Sequence, residues 1–254
     1  FDWWYLGQPL VRYRCGHLLF LDFLEVKNLS IPESLEVPPE LPAMTLPDAV
    51  LFPKAMMPLY IFEERYRKML SETLDSHRMF ALVGMRQDLP EEELEGEPPN
   101  DVATAGLIRV CRNNPDGTSF LLLQGVSRIR VAGIVREEPY RIVSLQTLET
   151  IFDHPKAGRR QELRDLLEEN NTLGGDATEE MLEFLTPLDD DSAYVDLVAF
   201  TLCKESIRKQ KLLETLKLSE RAALLAEELR KENERLRLIK EALGELPDEG
   251  FDSN

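Results

Sequence analysis

Histidine and cysteine are scarce in this chain, at three residues each among 254. Cys15, Cys111 and Cys203 are far apart and odd in number, so neither a disulfide framework nor a metal-knuckle spacing is present, and a reducing, cytoplasmic compartment is expected. His17, His77 and His154 fall in separate segments with no pair at metal-ligand spacing, and Cys15-Gly16-His17 lacks the further ligands a metal would need. Long apolar runs are also missing. The stretch 18–24 is seven residues long and contains Asp22. That is well short of the roughly 20 needed to span a bilayer, and no small-residue cleavage site follows it. Positive charge is in deficit, with 30 Lys and Arg against 47 Asp and Glu and a net charge of −17. A phosphate backbone is bound by a surplus of cations, so nucleic acid and anionic membranes are poor partners. No Gly-rich phosphate loop ending in Lys-Ser/Thr occurs, nor a nucleophile elbow. Lys204 and Ser206 stand two apart on a helical stretch and do not face each other. No catalytic residue, cofactor or metal is therefore expected.

What is present is a run of strands over 102–148. Residues 107–112 read as a strand, Asn114-Pro115-Asp116-Gly117 as a turn, and 120–124 as a returning strand. Pro115 presets φ, Asp116 can bond its own backbone and Gly117 tolerates positive φ, which together form a strong hairpin signal. Gly125 interrupts. Val126, Ile129, Val131, Ile134 and Val135 then carry the apolar positions, with Arg128 and Arg130 alternating outward at a period of two. Residues 141–148 repeat the alternation through Ile142, Val143, Leu145 and Leu148. The expected centre is a small antiparallel β unit.

The flanks read differently. Residues 1–25 open with Phe1-Asp2-Trp3-Trp4-Tyr5 and hold no Met; they are expected to be an upstream extension with the natural start near Val26, or else a short element packed on the domain. Pro32, Pro38, Pro39 and Pro42 make an extended arm. Residues 41–46 read as a strand and 79–85 as another, with a helix over 62–75 that sets Phe62, Tyr66, Met69, Leu70 and Leu74 on one face. Between Asp88 and Asp101 seven acids fall without one base, so this stretch is expected to be a mobile acidic loop. Beyond Leu148 the period lengthens to about 3.6. Helices are predicted over 156–170, 177–185, 193–203 and 218–243, with Asp189, Asp190 and Asp191 capping the third. The last carries a heptad stripe of Leu218, Ala222, Leu225, Leu229, Leu236, Ile239 and Leu243, broken by Glu232, enough for an internal packing face or a weak self-association. The tail from Pro247 is acidic.

Leu46-Pro47-Asp48-Ala49-Val50-Leu51-Phe52-Pro53, Met57-Pro58-Leu59, the helix from Phe62, Asn114-Pro115-Asp116-Gly117, Gln124-Gly125-Val126-Ser127-Arg128 and Glu138-Pro139-Tyr140 together resemble the N-terminal substrate-binding domain of Lon protease. The helical half, notably Leu212-Leu213-Glu214 and Ser219-Glu220-Arg221, is similar to the bundle that follows it. Lon protease continues into an ATPase module and a Ser-Lys peptidase, and neither motif set occurs in these residues. The resemblance implies a stand-alone recognition domain without chemistry of its own. It also implies an α+β fold: a partly closed antiparallel β domain with one helix, of the PUA-like pseudobarrel kind, then a helical bundle with a long last helix. The expected divisions are 1–40, 41–150 and 151–254.

The expected partner is a polypeptide client, bound through exposed apolar segments. An oligomerising scaffold for one dedicated partner is the alternative, and a peptidase-associated enzyme the weaker rival. Met56, Met57 and Tyr60 are the candidate binding residues, because thioethers and an aromatic ring on a proline-braced loop adapt to varied apolar peptides. Arg128 and Arg130, read as outward-facing, would pair with Glu137, Glu138 or a substrate carboxylate.

Overall fold

A computed structural model describes residues 35–90, 96–154 and 159–244, the side chains to 242. The expectations for residues 1–25 and for the acidic tail lie outside the described residues. Six strands and six helices are described, and they divide into two compact units. One comprises the described residues to Leu51 with Ala55–Thr147, the other Phe52–Lys54 with the residues from Leu148 onward.

The first unit holds β1 (Glu40–Leu46), β2 (Met56–Ile61), α1 (Glu64–Leu74), β3 (Met79–Gly84), β4 (Val102–Asn113), β5 (Ser119–Arg136) and β6 (Ile142–Leu148). Their order is β2-β5-β4-β3-β1-β6, and β6 pairs again with β5, which closes the last five strands into a barrel. The sheet is mixed rather than wholly antiparallel, because β1 and β3 run parallel with Ala43 opposite Ala81. A parallel neighbour needs a crossover, here supplied by β2 and α1, and local hairpin signals carry no trace of it. Alternate residues of five strands fill the barrel interior: Leu41 and Ala43, Met79, Ala81 and Val83, Ala103 and Ala105, Ile129, Val143 and Leu145. Small alanines at three strands leave room for the larger side chains opposite.

The β4–β5 hairpin closes as its residues dictate. Gly117 N donates to Asn114 O at 3.0 Å with Gly117 at φ +81°, and Asp116 Oδ1 accepts from Thr118 N and Oγ1. Those hydrogen bonds, the hydroxyl's first, hold the Asp116 carboxyl below its ordinary range. Gly125 does not end a strand. It pairs with Gly106, while Ser127 pairs with Ala105, so Val126 is a bulge inside one continuous β5.

The second unit is helical: α2 (Arg160–Thr172), α3 (Glu179–Leu185), α4 (Asp191–Leu202), α5 (Ser206–Glu214) and α6 (Leu218–Gly244). Asp190 caps α4, its Oδ1 accepting from Ser192 N at 2.9 Å and Ala193 N at 3.1 Å. Helix α5 is not among the helices predicted by range, although Leu212-Leu213-Glu214 within it reads as part of the bundle. Its start lacks a capping side chain, and its apolar residues are too few to set a clear period. Leu218, Ala222, Leu225 and Leu229 of the heptad stripe are buried within the chain, whereas Ile239 is exposed. Arg221, wholly buried, lies 3.2 Å from Asp196 and donates to Ser192 Oγ and Thr215 O.

Candidate functional site

The alternation that fills the barrel continues along β4 and β5 beyond the barrel itself. Leu107 packs against the interior cluster and pairs with Gln124, which pairs in turn with Met56 of β2. Paired residues of neighbouring strands project to the same face. The next pairs on that face are Val110 with Leu122 and Leu122 with Pro58, then Arg112 with Phe120 and Phe120 with Tyr60. A second bulge, at Arg109, restores the alternation between Leu107 and Val110. Among the described residues no strand closes over this end, and the face reaches solvent: Val110 and Phe120 are each 54% exposed, and Pro58, Tyr60 and Leu122 are half-buried. The Tyr60 ring lies 4.6 Å from that of Phe120 and stacks on Phe62 at 5.9 Å. Three strands thus present a contiguous apolar strip with three aromatic rings. Burying such side chains against a partner is favourable at about 25 cal/mol per Å², and strips of this kind mark interaction sites.

The sequence-derived candidates are distributed unevenly about the strip. Tyr60 lies on it. Met56, 8% exposed, sits where the strip meets the barrel interior, and Met57, 7% exposed, points to the opposite face. The segment they share is strand β2 rather than a proline-braced loop, because Pro58 tolerates an edge position where its missing N–H is not needed. Arg128 requires a correction. It pairs with Thr104 on the face away from the barrel interior, as its period predicts, yet it is 2% exposed. That face is covered at this point by the chain between β1 and β2, shown by the Thr104 hydroxyl donating to Leu51 O at 2.5 Å. Arg130, two residues on, is exposed. The structure therefore does not bring Arg128 and Arg130 together with Tyr60. Val110, Phe120 and Leu122 were missed as candidates, although the outward alternation of Phe120 and Leu122 beside buried Leu121 and Leu123 was a usable signal.

A second concavity of about 460 Å³ is polar, lined by Thr45, Arg65, Tyr66, Glu97, Glu138 and Arg141 among others. Its arginines are committed within the chain. Arg65 grips the Glu97 carboxylate through both terminal nitrogens at 2.7 and 2.9 Å, and Arg141 donates to Glu97 O, Gly96 O, Thr45 Oγ1 and Glu137. The described end of the acidic stretch is thereby pinned, contrary to the reading of the whole stretch as mobile; residues 91–95 lie outside the described residues. Burial pushes the Tyr66 phenol, which donates to Thr45 O, up to about 12. Among the described residues no cluster of three or more His, Cys, Asp or Glu is placed to hold a metal, and no helix is long and apolar enough to cross a membrane.

Residues 40–231 match the family model described as the ATP-dependent protease La (LON) substrate-binding domain. The chain belongs to that family. It is a LON substrate-binding domain over both the β unit and most of the helical unit. The Lon protease of Desulfosudis oleivorans is 25% identical over 205 residues, which cover 80% of this chain and 25% of that protein. The Lon protease of Dictyoglomus thermophilum is 26% identical over 227 residues, covering 88% and 28%. The chain thus spans about a quarter of the length of the curated relatives it matches. In fold it is similar to the N-terminal domain of the Mycobacterium avium complex Lon protease, with a TM-score of 0.59 at 14% identity over 75% of this chain and 98% of that one. A Lon N-terminal domain protein from Xanthomonas campestris gives 0.54 at 21% identity over 73% and 96%.

Proposed function

We propose that this LON substrate-binding domain recognises other polypeptides by their exposed apolar segments, and that it does so on the strip formed by Pro58, Tyr60, Phe62, Val110, Phe120 and Leu122. The observation that carries this reading is the solvent exposure of Phe120 and Val110 on the face whose continuation fills the barrel. A folded client buries its apolar residues and offers nothing to such a strip, whereas an unfolded one offers many short apolar runs. Aromatic rings supply large contact area at low cost in side-chain entropy, so a strip rich in them suits varied sequences. Met56, at the strip's inner border, adds a flexible thioether beneath it. The role proposed for the domain is recognition.

The test is fluorescence anisotropy with a labelled, reduced and alkylated protein that cannot refold. The wild-type chain binds it. Phe120→Ser and Tyr60→Ala each weaken binding about fivefold to thirtyfold, the range expected for losing a 1–2 kcal/mol anchor, while the melting temperature stays within a few degrees. Unchanged affinity in both variants would place recognition elsewhere.

A further inference from the structure

At one end of the apolar strip stands a cation. Arg112 is exposed, pairs in register with Phe120 on the strip's own face, and has no ion-pair partner among the described residues. In this it differs from three other arginines of the same unit. Arg65, Arg86 and Arg141 all hold carboxylates, as a chain with a net charge of −17 readily allows. An arginine left open beside an exposed phenyl ring, on the face that carries Tyr60 and Leu122, presents a forked donor next to an apolar surface. A carboxylate arriving there exchanges water for charge-assisted hydrogen bonds in a site that the neighbouring rings partly dry.

Resting on the reading of the strip as a polypeptide-binding face, we infer that the occupant is an extended apolar segment carrying an acidic side chain, with Arg112 reading the carboxylate. The argument is one of charge complementarity. The strip's apolar residues recur at every second position along β2 and β5, so an extended segment with alternate apolar side chains matches their spacing. The acidic residue lies at the end of the segment that reaches Phe120. Arg112 thereby sets the direction in which the segment lies and discriminates among apolar runs of equal hydrophobicity. It also selects against basic segments, which the strip alone would accept.

The experiment uses two labelled nonapeptides that alternate Phe and Ser and differ at one terminal-side position, Asp in one and Asn in the other, titrated against the full chain by anisotropy. The wild type is expected to bind the Asp peptide about threefold to fivefold tighter, the upper range for an exposed ion pair, and the advantage shrinks with added salt. Arg112→Gln abolishes the difference by weakening the Asp peptide alone, and Arg112→Glu reverses the preference. Phe120→Ser weakens both peptides alike. Equal binding of the two peptides by the wild type, or a preference that survives in Arg112→Gln, overturns the inference. If the peptides bind equally but Phe120→Ser still loses both, the apolar strip stands and the carboxylate reading alone falls. If the wild type binds neither, both readings fall.

Discussion

Phe120 decides more about this molecule than its single position suggests. Exposing a phenyl ring on a strand whose neighbours Leu121 and Leu123 are buried forgoes burial that the fold has the means to provide, so Phe120→Ser is expected to leave stability nearly unchanged while weakening binding. The buried charges behave oppositely. Asp196→Ala leaves Arg221 without its carboxylate at a site wholly shielded from water, and is expected to destabilise the helical unit by about 3–5 kcal/mol, read by denaturant unfolding followed by helical circular dichroism. Tyr66 supplies a pH signature. Its phenol ordinarily titrates at 10.0, but burial raises it to about 12 in the folded chain. Between those values the unfolded chain releases a proton that the folded chain retains. Tyr66 therefore contributes stability fully below pH 10, and that contribution is lost as the pH rises toward 12. Chemical denaturation across this window should show a steeper alkaline loss in the wild type than in Tyr66→Phe.

Secondary-structure elements show where sequence reading succeeds and where it stops. The β4–β5 turn was legible because each of Asn114, Pro115, Asp116 and Gly117 has its own local reason to be there. Gly117→Ala is expected to cost about 1–2 kcal/mol, since the residue sits at φ +81° and the added Cβ would stand 2.0 Å from the Arg67 guanidinium. The cap of α4 was equally local, and Asp190→Ala should lower stability by about 1 kcal/mol in the same unfolding assay. The face of Arg128 was not legible, because period two says which residues share a side but not what covers that side. Coverage by the chain between β1 and β2 is a tertiary fact. Strand β2 was hidden by Pro47, Pro53 and Pro58, which read as loop until an edge position makes the last of them harmless. The heptad stripe of α6 was visible as a pattern, but that its first half is buried within the chain could not be read from spacing alone.

At the scale of the whole molecule, a LON substrate-binding domain here combines a closed barrel with an open extension of the same sheet. Closure removes strand edges that would otherwise invite indiscriminate pairing, and β2, β4 and β5 run on past the closure to form the apolar strip. Stability and the proposed recognition are thus drawn from one continuous face, buried at Ala105 and Ile129 and exposed at Val110 and Phe120. The most direct test is photo-crosslinking of an apolar peptide bearing a benzophenone side chain to the full chain, with the attachment sites mapped by mass spectrometry. The account predicts crosslinks at Tyr60, Val110, Phe120 and Leu122, lost when an unlabelled unfolded protein is added in excess. Crosslinks confined to the helical unit, or to the polar concavity around Arg65 and Arg141, would contradict it.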